Sequence, residues 1–408
     1  MRLLLALIAI SIGQVQAVYH LPLEMSFEEY QNLYSELKQT KSAIIKDEYV
    51  RESIDGGEKM SSWIKLINSS RTEENAIRLT SKGTQRGIPI ETPSKYGPST
   101  IKANLLKLKK EMPKELVSVI FGENDITKTP MINDAEFIKW CRKVSGNYQS
   151  AVRWTGMQKW LSHYAKRKAQ DVRGFYFLRN LENLDEHLNK FGELNPDKAS
   201  TIKEALIGIC LNSGKTKKSC ERKITKAIKK KDLVSFKNSY WTTAINNWNG
   251  FYEITNPRKD VVWTKKSPGV MAVVFKDPKN PEIANWLKDN IEDEFQLTEK
   301  NWALELNFVP GKAGTAYIEF QKNVTPHVSG GNKVVMDANT ELEEYGVKWT
   351  IRHEFGHILR IPDCYHEFYD KEENLMINYQ LDVTDLMCSR AGAMNERIYK
   401  ELEKHYMK

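Results

Sequence analysis

One short segment of the chain combines residue types that could bind a catalytic metal: "HEFGHILRIPDCY", residues 353–365. On a helix, His353 and His357 are four residues apart, so they lie on one face, one turn apart. Both imidazoles can then bind one ion, while Glu354 lies beside the first ligand and can take a proton from metal-bound water. The spacing predicts a hydrolytic zinc site with Glu354 as the general base.

A catalytic zinc ion needs a third protein ligand and keeps a fourth position open for water. Asp363 is the predicted third ligand, because Pro362 resists continuation of the helix and should turn the chain back toward the ion. His366 competes for this role. A second competitor is Glu396 in "MNERIYKELEKH", which would make the protein a gluzincin-type zinc peptidase.

The segment "HEFGHILRIPD" resembles the metzincin signature, His-Glu-x-x-His-x-x-Gly-x-x-His/Asp, in the form with aspartate as third ligand. Met387 in "TDLMCSRAG" is similar to the methionine of the tight turn beneath the metal in that family. Arg360 departs from the pattern, since the family has a glycine there to end the helix with a left-handed residue. The resemblance covers about residues 265–408.

The resemblance implies a zinc peptidase with one catalytic Zn²⁺, and it also implies a disulfide and a substrate-binding strand. Cys364 directly follows the third ligand and Cys388 directly follows Met387, and these two places are close together in the family, which predicts a disulfide between them. The strand at 332–338 would be the edge strand that pairs with an extended protein or peptide substrate.

The predicted fold class is α+β. Residues 18–255 form a mainly α-helical region, and residues 256–408 form a metzincin-like domain with a mixed sheet, an active-site helix, a Met-turn and a C-terminal helix. In the latter domain, hydrophobic patterning predicts a helix at 281–295 and strands at 270–275, 302–309, 314–320 and 332–338.

The N-terminal part raises separate questions of targeting and role. Residues 1–17 read as a signal peptide, and no later apolar stretch is long enough to cross a bilayer, so we expect an exported protein, extracellular or periplasmic. The segment 80–100, rich in Gly, Pro, Ser and Thr, is typical of a linker that could separate a helical arm from a larger helical body. Residues 18–255 could be a pro-region or a targeting domain.

Charge differs between the two parts of the chain. Residues 18–255 carry 40 Lys and Arg against 28 Asp and Glu, whereas residues 256–408 carry 20 against 25, which favours docking of the parts. The basic stretch 215–231 could contact an anionic surface or the catalytic domain, although a solvated helix face packing through Ile224 and Ile228 explains it as well.

Export allows disulfides to persist among the five cysteines. Cys210 and Cys220 bracket a short polar loop, and Cys364 with Cys388 forms a second plausible pair. Cys141 is then unpaired, either as a small buried residue or as a thiolate ligand of zinc in a latent form.

The leading interpretation is a secreted zinc endopeptidase, with His353, His357 and Asp363 as metal ligands. No nucleic-acid partner is expected. Besides the gluzincin alternative, the chain could be a non-catalytic envelope-binding protein whose zinc site is structural. Glu354 argues against that alternative, because a structural site has no use for a general base.

Overall fold

The structure is a computed structural model that describes residues 47–80, 94–126, 134–264 and 269–407. The predicted signal peptide, residues 1–17, lies outside the described residues, as does most of the predicted linker. Helices dominate up to Asn249, and strands alternate with helices from Val261 onward, near the predicted boundary at 255. The α+β class and the helical character of the N-terminal region are therefore confirmed.

The first, second and fourth helices of the helical region contribute to one hydrophobic core. The helices of this region are α1 (Glu48–Asn68), α2 (Pro98–Glu111), α3 (Lys114–Ile120), α4 (Asp134–Met157), α5 (Leu161–Arg167), α6 (Arg173–Asn180), α7 (Leu184–Asn189), α8 (Pro196–Leu211), α9 (Lys217–Lys229) and α10 (Leu233–Asn249). Trp63 of α1 packs edge-on against Phe137 of α4, with ring centroids 5.0 Å apart. The residues before 80 therefore do not form a separate arm, which corrects that expectation.

A short strand, β1 (Ser94–Tyr96), lies inside the segment predicted as a linker. It pairs antiparallel with β10 (Leu375–Gln380), which itself pairs with β9 (Tyr365–Asp370) to give a three-stranded sheet. Three residues are too few to show a strand alternation in sequence, and the pairing partner lies far away in the chain. The strand ties the helical region to the part that carries the metal motif.

The remaining strands form two further sheets. They are β2 (Val261–Thr264), β3 (Gly269–Lys276), β4 (Gln296–Leu297), β5 (Trp302–Val309), β6 (Tyr317–Gln321), β7 (His327–Ser329) and β8 (Lys333–Asp337). Their orders are β2-β3-β5-β4 and β6-β8-β7, and a bridge between Phe275 and Ala316 connects the sheets. Helices α11 (Pro281–Glu294), α12 (Tyr345–Ile358) and α13 (Glu396–Tyr406) complete this region.

The predicted edge strand at 332–338 is an inner strand instead. β8 pairs in parallel with β6 on one side and antiparallel with β7 on the other. β7 is only three residues long and follows a turn-rich segment, so the sequence did not reveal that another strand covers this side of β8. Substrate pairing along 332–338 is therefore not supported, and the outer strands of this sheet are β6 and β7.

The two regions are docked through opposite charges, as their composition predicted. Arg78 pairs with Glu341 at 2.9 Å, Arg153 with Glu367 at 2.6 Å, and Lys168 with Asp370 at 3.2 Å. In each pair the basic residue comes from the helical region and the acidic residue from the C-terminal region. Apolar contacts cross the same boundary, because Val172, Phe251 and Ile254 belong to the core that surrounds the C-terminal sheets.

The basic stretch 215–231 is folded as α9 and the turns around it. Cys220 and Ile224 are fully buried in a core made of helical-region residues, which agrees with the solvated-face interpretation. Its exposed face as a binding site for an anionic surface stays a prediction. The predicted Cys210–Cys220 disulfide is present, as is Cys364–Cys388, and both are compatible with an oxidising compartment. None of the helices in the described ranges has the length and apolar character of a membrane span.

Candidate metal centre

Helix α12 carries the motif and is anchored through Arg352. Arg352 binds the buried carboxylate of Glu294 on α11 at 2.8 Å, and the second oxygen of Glu294 accepts a hydrogen bond from the Met394 N–H. Satisfying a buried carboxylate in this way holds α12 against α11 and the segment before α13. The face that bears His353 and His357 is thereby oriented toward the loop that follows the helix.

The helix ends with the left-handed residue that a sharp turn requires. Arg360 has a φ of 66°, its N–H donates to His357 O, and the Ile361 N–H donates to Gly356 O, both at 3.0 Å. This is the Schellman geometry, in which an arginine occupies the position usually taken by glycine. The guanidinium of Arg360 lies against Gly331, where a Cβ would be 1.7 Å from one of its nitrogens. The turn brings Asp363 back toward the helix, as we expected from the presence of Pro362.

The three predicted metal ligands converge on one point. Nε2 of His353 and Nε2 of His357 each lie 3.1 Å from Oδ1 of Asp363. Ligand atoms that share a tetrahedral zinc ion at about 2.1 Å are about 3.4 Å apart. The observed separations are close to that value, so the three side chains can bind a common ion with little adjustment.

Hydrogen bonds to the backbone set the orientation of both imidazole rings. Nδ1 of His353 lies 2.9 Å from Leu386 O, and Nδ1 of His357 lies 2.9 Å from Ile361 O. A carbonyl oxygen only accepts, so each Nδ1 donates a proton to its carbonyl and each Nε2 is left facing Asp363, where it could bind a metal ion. This outer contact to a carbonyl is common for histidines that bind metals.

Electrostatics at the cluster favour a positive charge between the ligands. Burial lowers the pKa of His357, but the Asp363 carboxylate outweighs burial and raises that pKa to about 9. Burial likewise opposes ionisation of Asp363, yet His357 and His353 hold its pKa well below the usual range. His357 and Asp363 therefore stabilise each other's charged forms, and two imidazoles with one carboxylate are a donor set of the kind that binds zinc with an open fourth position.

Met387 lies directly beneath α12. A Cβ added to Gly356 would be 2.3 Å from Met387 Sδ, so this approach is possible only because Gly356 has no side chain. The turn is built around Asp385, which is 1% exposed and accepts hydrogen bonds from the Met387 N–H and from Nε of Arg397, both at 2.8 Å. Leu386 in this turn supplies the carbonyl that orients His353, so the turn supports a ligand directly.

The Cys364–Cys388 disulfide joins the ligand turn to this methionine turn. The two Cα atoms are 4.3 Å apart, and the Cys364 N–H donates to Met387 O at 3.1 Å. Cys364 and Cys388 also lie close to the Asp385 carboxylate, but disulfide-bonded sulfurs are not available as metal ligands.

The residues that competed as ligands lie elsewhere. His366 points to the other face of β9, with its ring 5.2 Å from those of Phe368 and Tyr379. Glu396 is half exposed at the start of α13 and forms ion pairs with lysines. Cys141 is fully buried within the helical core, where burial raises the pKa of its thiol to about 12, so it is not placed to bind this metal as a thiolate.

Glu354 is 3% exposed, and no hydrogen-bond partner of its carboxylate is found among the described residues. Two side chains that sequence reasoning missed lie in its surroundings. The ring of Tyr365 stacks on His353 with centroids 6.4 Å apart, and Arg390 lies within electrostatic range of Glu354 and Asp363. Tyr365 lies on β9 and Arg390 follows the methionine turn. Tertiary structure brings them to this site, and no sequence motif identifies either residue.

No family model, curated protein or solved structure matches the chain. The chemistry assigned to this centre therefore depends on the side chains and distances described above.

Proposed function

We propose that the protein is an exported, zinc-dependent endopeptidase of metzincin-like type. The observation that carries the proposal is the convergence of His353, His357 and Asp363, with both Nε2 atoms 3.1 Å from one carboxylate oxygen and Glu354 on the adjoining helical position. A catalytic zinc site typically has three protein ligands, an open fourth position and a nearby carboxylate that is not itself a ligand. A structural zinc site instead has four protein ligands and no open position.

Zinc bound at this centre would polarise a peptide carbonyl and lower the pKa of a water molecule. Glu354 then accepts a proton from the attacking water and passes it to the leaving amine. Its burial keeps bulk water away from the carboxylate, and the fixed rings of His353 and His357 hold the ligand atoms without reorganisation. The gluzincin alternative gains no support, because Glu396 lies outside the cluster and is paired with lysines.

The proposal is tested with the mature chain, Glu354→Gln and the control Glu372→Gln, which changes an exposed glutamate. Each protein is loaded to equal zinc content and incubated with a mixed peptide library, and new termini are read by mass spectrometry. We expect the wild type and the control to cleave and Glu354→Gln to lose about 10²- to 10⁴-fold in kcat. Equal cleavage by all three proteins would contradict the role of Glu354.

A further inference from the structure

A cavity of about 380 Å³ lies between the helical region and the C-terminal region. Helices α1 and α4 form one wall, and the residues around β7, β8 and α12 form the other. Its apolar lining includes Met60, Ile64, Val152, Val324, Met336 and Trp349. Arg390 also lines the cavity, and because this residue is within electrostatic range of Glu354 and Asp363, the cavity adjoins the candidate metal centre.

Most charged groups that line the cavity are already paired. Asp337 accepts from the Tyr148 hydroxyl at 2.6 Å. The other matched groups are Glu341 with Arg78 at 2.9 Å, Glu344 with the Leu79 N–H at 2.7 Å, and Arg153 with Glu367 at 2.6 Å. None of these groups is free to receive a charged ligand without breaking an existing interaction.

Arg390 differs from them. Its side chain is half-buried and has neither an ion pair nor a hydrogen bond with any described residue. Burial lowers the pKa of its guanidinium, which reflects poor solvation of the positive charge. A poorly solvated guanidinium gains most from a planar carboxylate, because the two can form parallel charge-assisted hydrogen bonds.

We propose that this cavity binds a substrate carboxylate carried on an apolar stem, and that Arg390 pairs with that carboxylate. The inference rests on the proposed peptidase function, since it assigns the cavity to the substrate cleft beside Glu354. In a peptide the carboxylate has two sources, the side chain of an acidic residue or the free C-terminus. The apolar walls favour glutamate over aspartate, because the longer stem buries more methylene surface.

The test compares wild type, Arg390→Gln and Lys322→Gln, the last of which removes an exposed positive charge near the cavity-lining Val324. A peptide cleaved by the wild type is varied by glutamate-to-glutamine exchange at each position and by C-terminal amidation. In the wild type and in Lys322→Gln, we expect one of these changes to lower kcat/KM by about 10- to 100-fold. In Arg390→Gln that difference should fall below about 3-fold, with cleavage of the neutral peptide retained.

Three results would overturn the assignment. They are a wild type with no preference for the carboxylate, an Arg390→Gln protein that keeps the preference, and an Arg390→Gln protein that loses activity equally on every peptide. The last result would make Arg390 a positioning residue for Glu354 instead. The unfolding temperature of Arg390→Gln is measured as a control, and a value equal to that of the wild type would show that the variant is folded.

A binding measurement separates this proposal from the proposed function. Calorimetry uses acetyl-Ala-Leu-Glu-amide, acetyl-Ala-Leu-Gln-amide and acetyl-Ala-Leu-Gln with a free C-terminus as probes. If no library peptide is cleaved, the peptidase proposal fails, but Arg390-dependent binding of one acidic probe still supports the cavity assignment. Absence of such binding to the wild type overturns it, and the probe that binds identifies the source of the carboxylate.

Discussion

His366 shows how strongly the immediate surroundings decide what a histidine does. It lies three residues after Asp363, yet its fully buried ring contacts aromatic side chains, including that of Phe251 at 6.0 Å between centroids. Burial lowers the pKa of His366 to about 4. The ring is therefore neutral in the folded protein and contributes packing rather than metal binding.

The depressed pKa of His366 predicts a stability loss in acid. Between pH 6.5 and about 4 the unfolded chain protonates this ring and the folded chain does not, so the free energy of unfolding decreases as the pH falls through that window. At pH 4.5 the loss should be about 2 to 3 kcal/mol. Urea unfolding at pH 7.5 and pH 4.5 should show this loss in the wild type and much less of it in His366→Leu.

The control for this measurement is His163→Leu, which replaces an exposed histidine. The control should keep the wild-type dependence on pH, because it leaves the buried ring of His366 in place. If His366→Leu and the wild type lost equal stability over the interval, burial of a neutral His366 would be excluded as the cause.

Single residues at the centre were predictable to different degrees. The candidate ligands His353 and His357 follow from helical spacing, and Asp363 follows from the turn that Pro362 favours; the structure brings all three together. Arg390 and Tyr365 could not be predicted, because their proximity to Glu354 depends on the packing of segments far apart in sequence.

At the scale of elements, α12 and the methionine turn behave as one unit. The turn contacts the helix at Gly356 through Met387 and orients His353 through Leu386 O, while the Cys364–Cys388 disulfide fixes its distance from the ligand turn. The disulfide joins cysteines 24 residues apart in sequence, and closing a loop of that length stabilises the fold by about 3 kcal/mol through the lower chain entropy of the unfolded state. Disturbing the contact at Gly356 should therefore affect both stability and metal binding.

We expect Gly356→Ala to lower the free energy of unfolding by about 1 to 3 kcal/mol, because its Cβ would overlap Met387 Sδ. The displaced turn should also weaken zinc binding by about 10-fold or more, since Leu386 O would no longer hold His353. Gly146→Ala in α4 is the matched control: no atom lies within 4 Å of its new Cβ, and alanine favours the helix. Chemical unfolding and zinc titration of both variants provide the measurement.

If Gly356→Ala equalled Gly146→Ala in stability and zinc affinity, the methionine turn would not support the ligand helix.

The helices and longer strands of this region were predictable because their periodicity extends over many residues. Short elements were not: β1 and β7 have three residues each, and missing β7 made β8 look like an edge strand. The β9–β10 hairpin was also missed.

For the whole molecule, the helical region forms part of the structure that surrounds the candidate metal centre. Tyr96 and Arg153 both bind the Glu367 carboxylate on β9, at 2.7 and 2.6 Å, two residues after Tyr365. Lys168 binds the buried Asp370 on the same strand. Removing the helical region would leave these carboxylates without their cationic partners, which is costly for buried charges.

We therefore expect residues 256–408 to be unstable when produced alone. The fragment loses the strand that pairs with β10 and the apolar contacts of Val172 and Phe251 with its core. Near-ultraviolet circular dichroism and thermal unfolding should show no cooperative transition for the fragment. Co-expression with residues 18–255 is the control and should restore that transition.

A fragment that unfolds cooperatively at the temperature of the full chain would instead favour a removable pro-region.

The composition of the chain predicted that its parts dock, because opposite net charges attract. It could not predict which surfaces meet, since that depends on the few buried pairs around Glu367 and on β1.

The most direct test of the account is the zinc content and affinity of three proteins: the wild type, Asp363→Ala and Glu396→Ala. We expect the wild type and Glu396→Ala to bind one zinc ion per chain with equal affinity. Asp363→Ala should bind at least about 100-fold more weakly, because it removes a ligand on which His353 and His357 converge. Full zinc binding by Asp363→Ala together with its loss in Glu396→Ala would contradict the assigned centre.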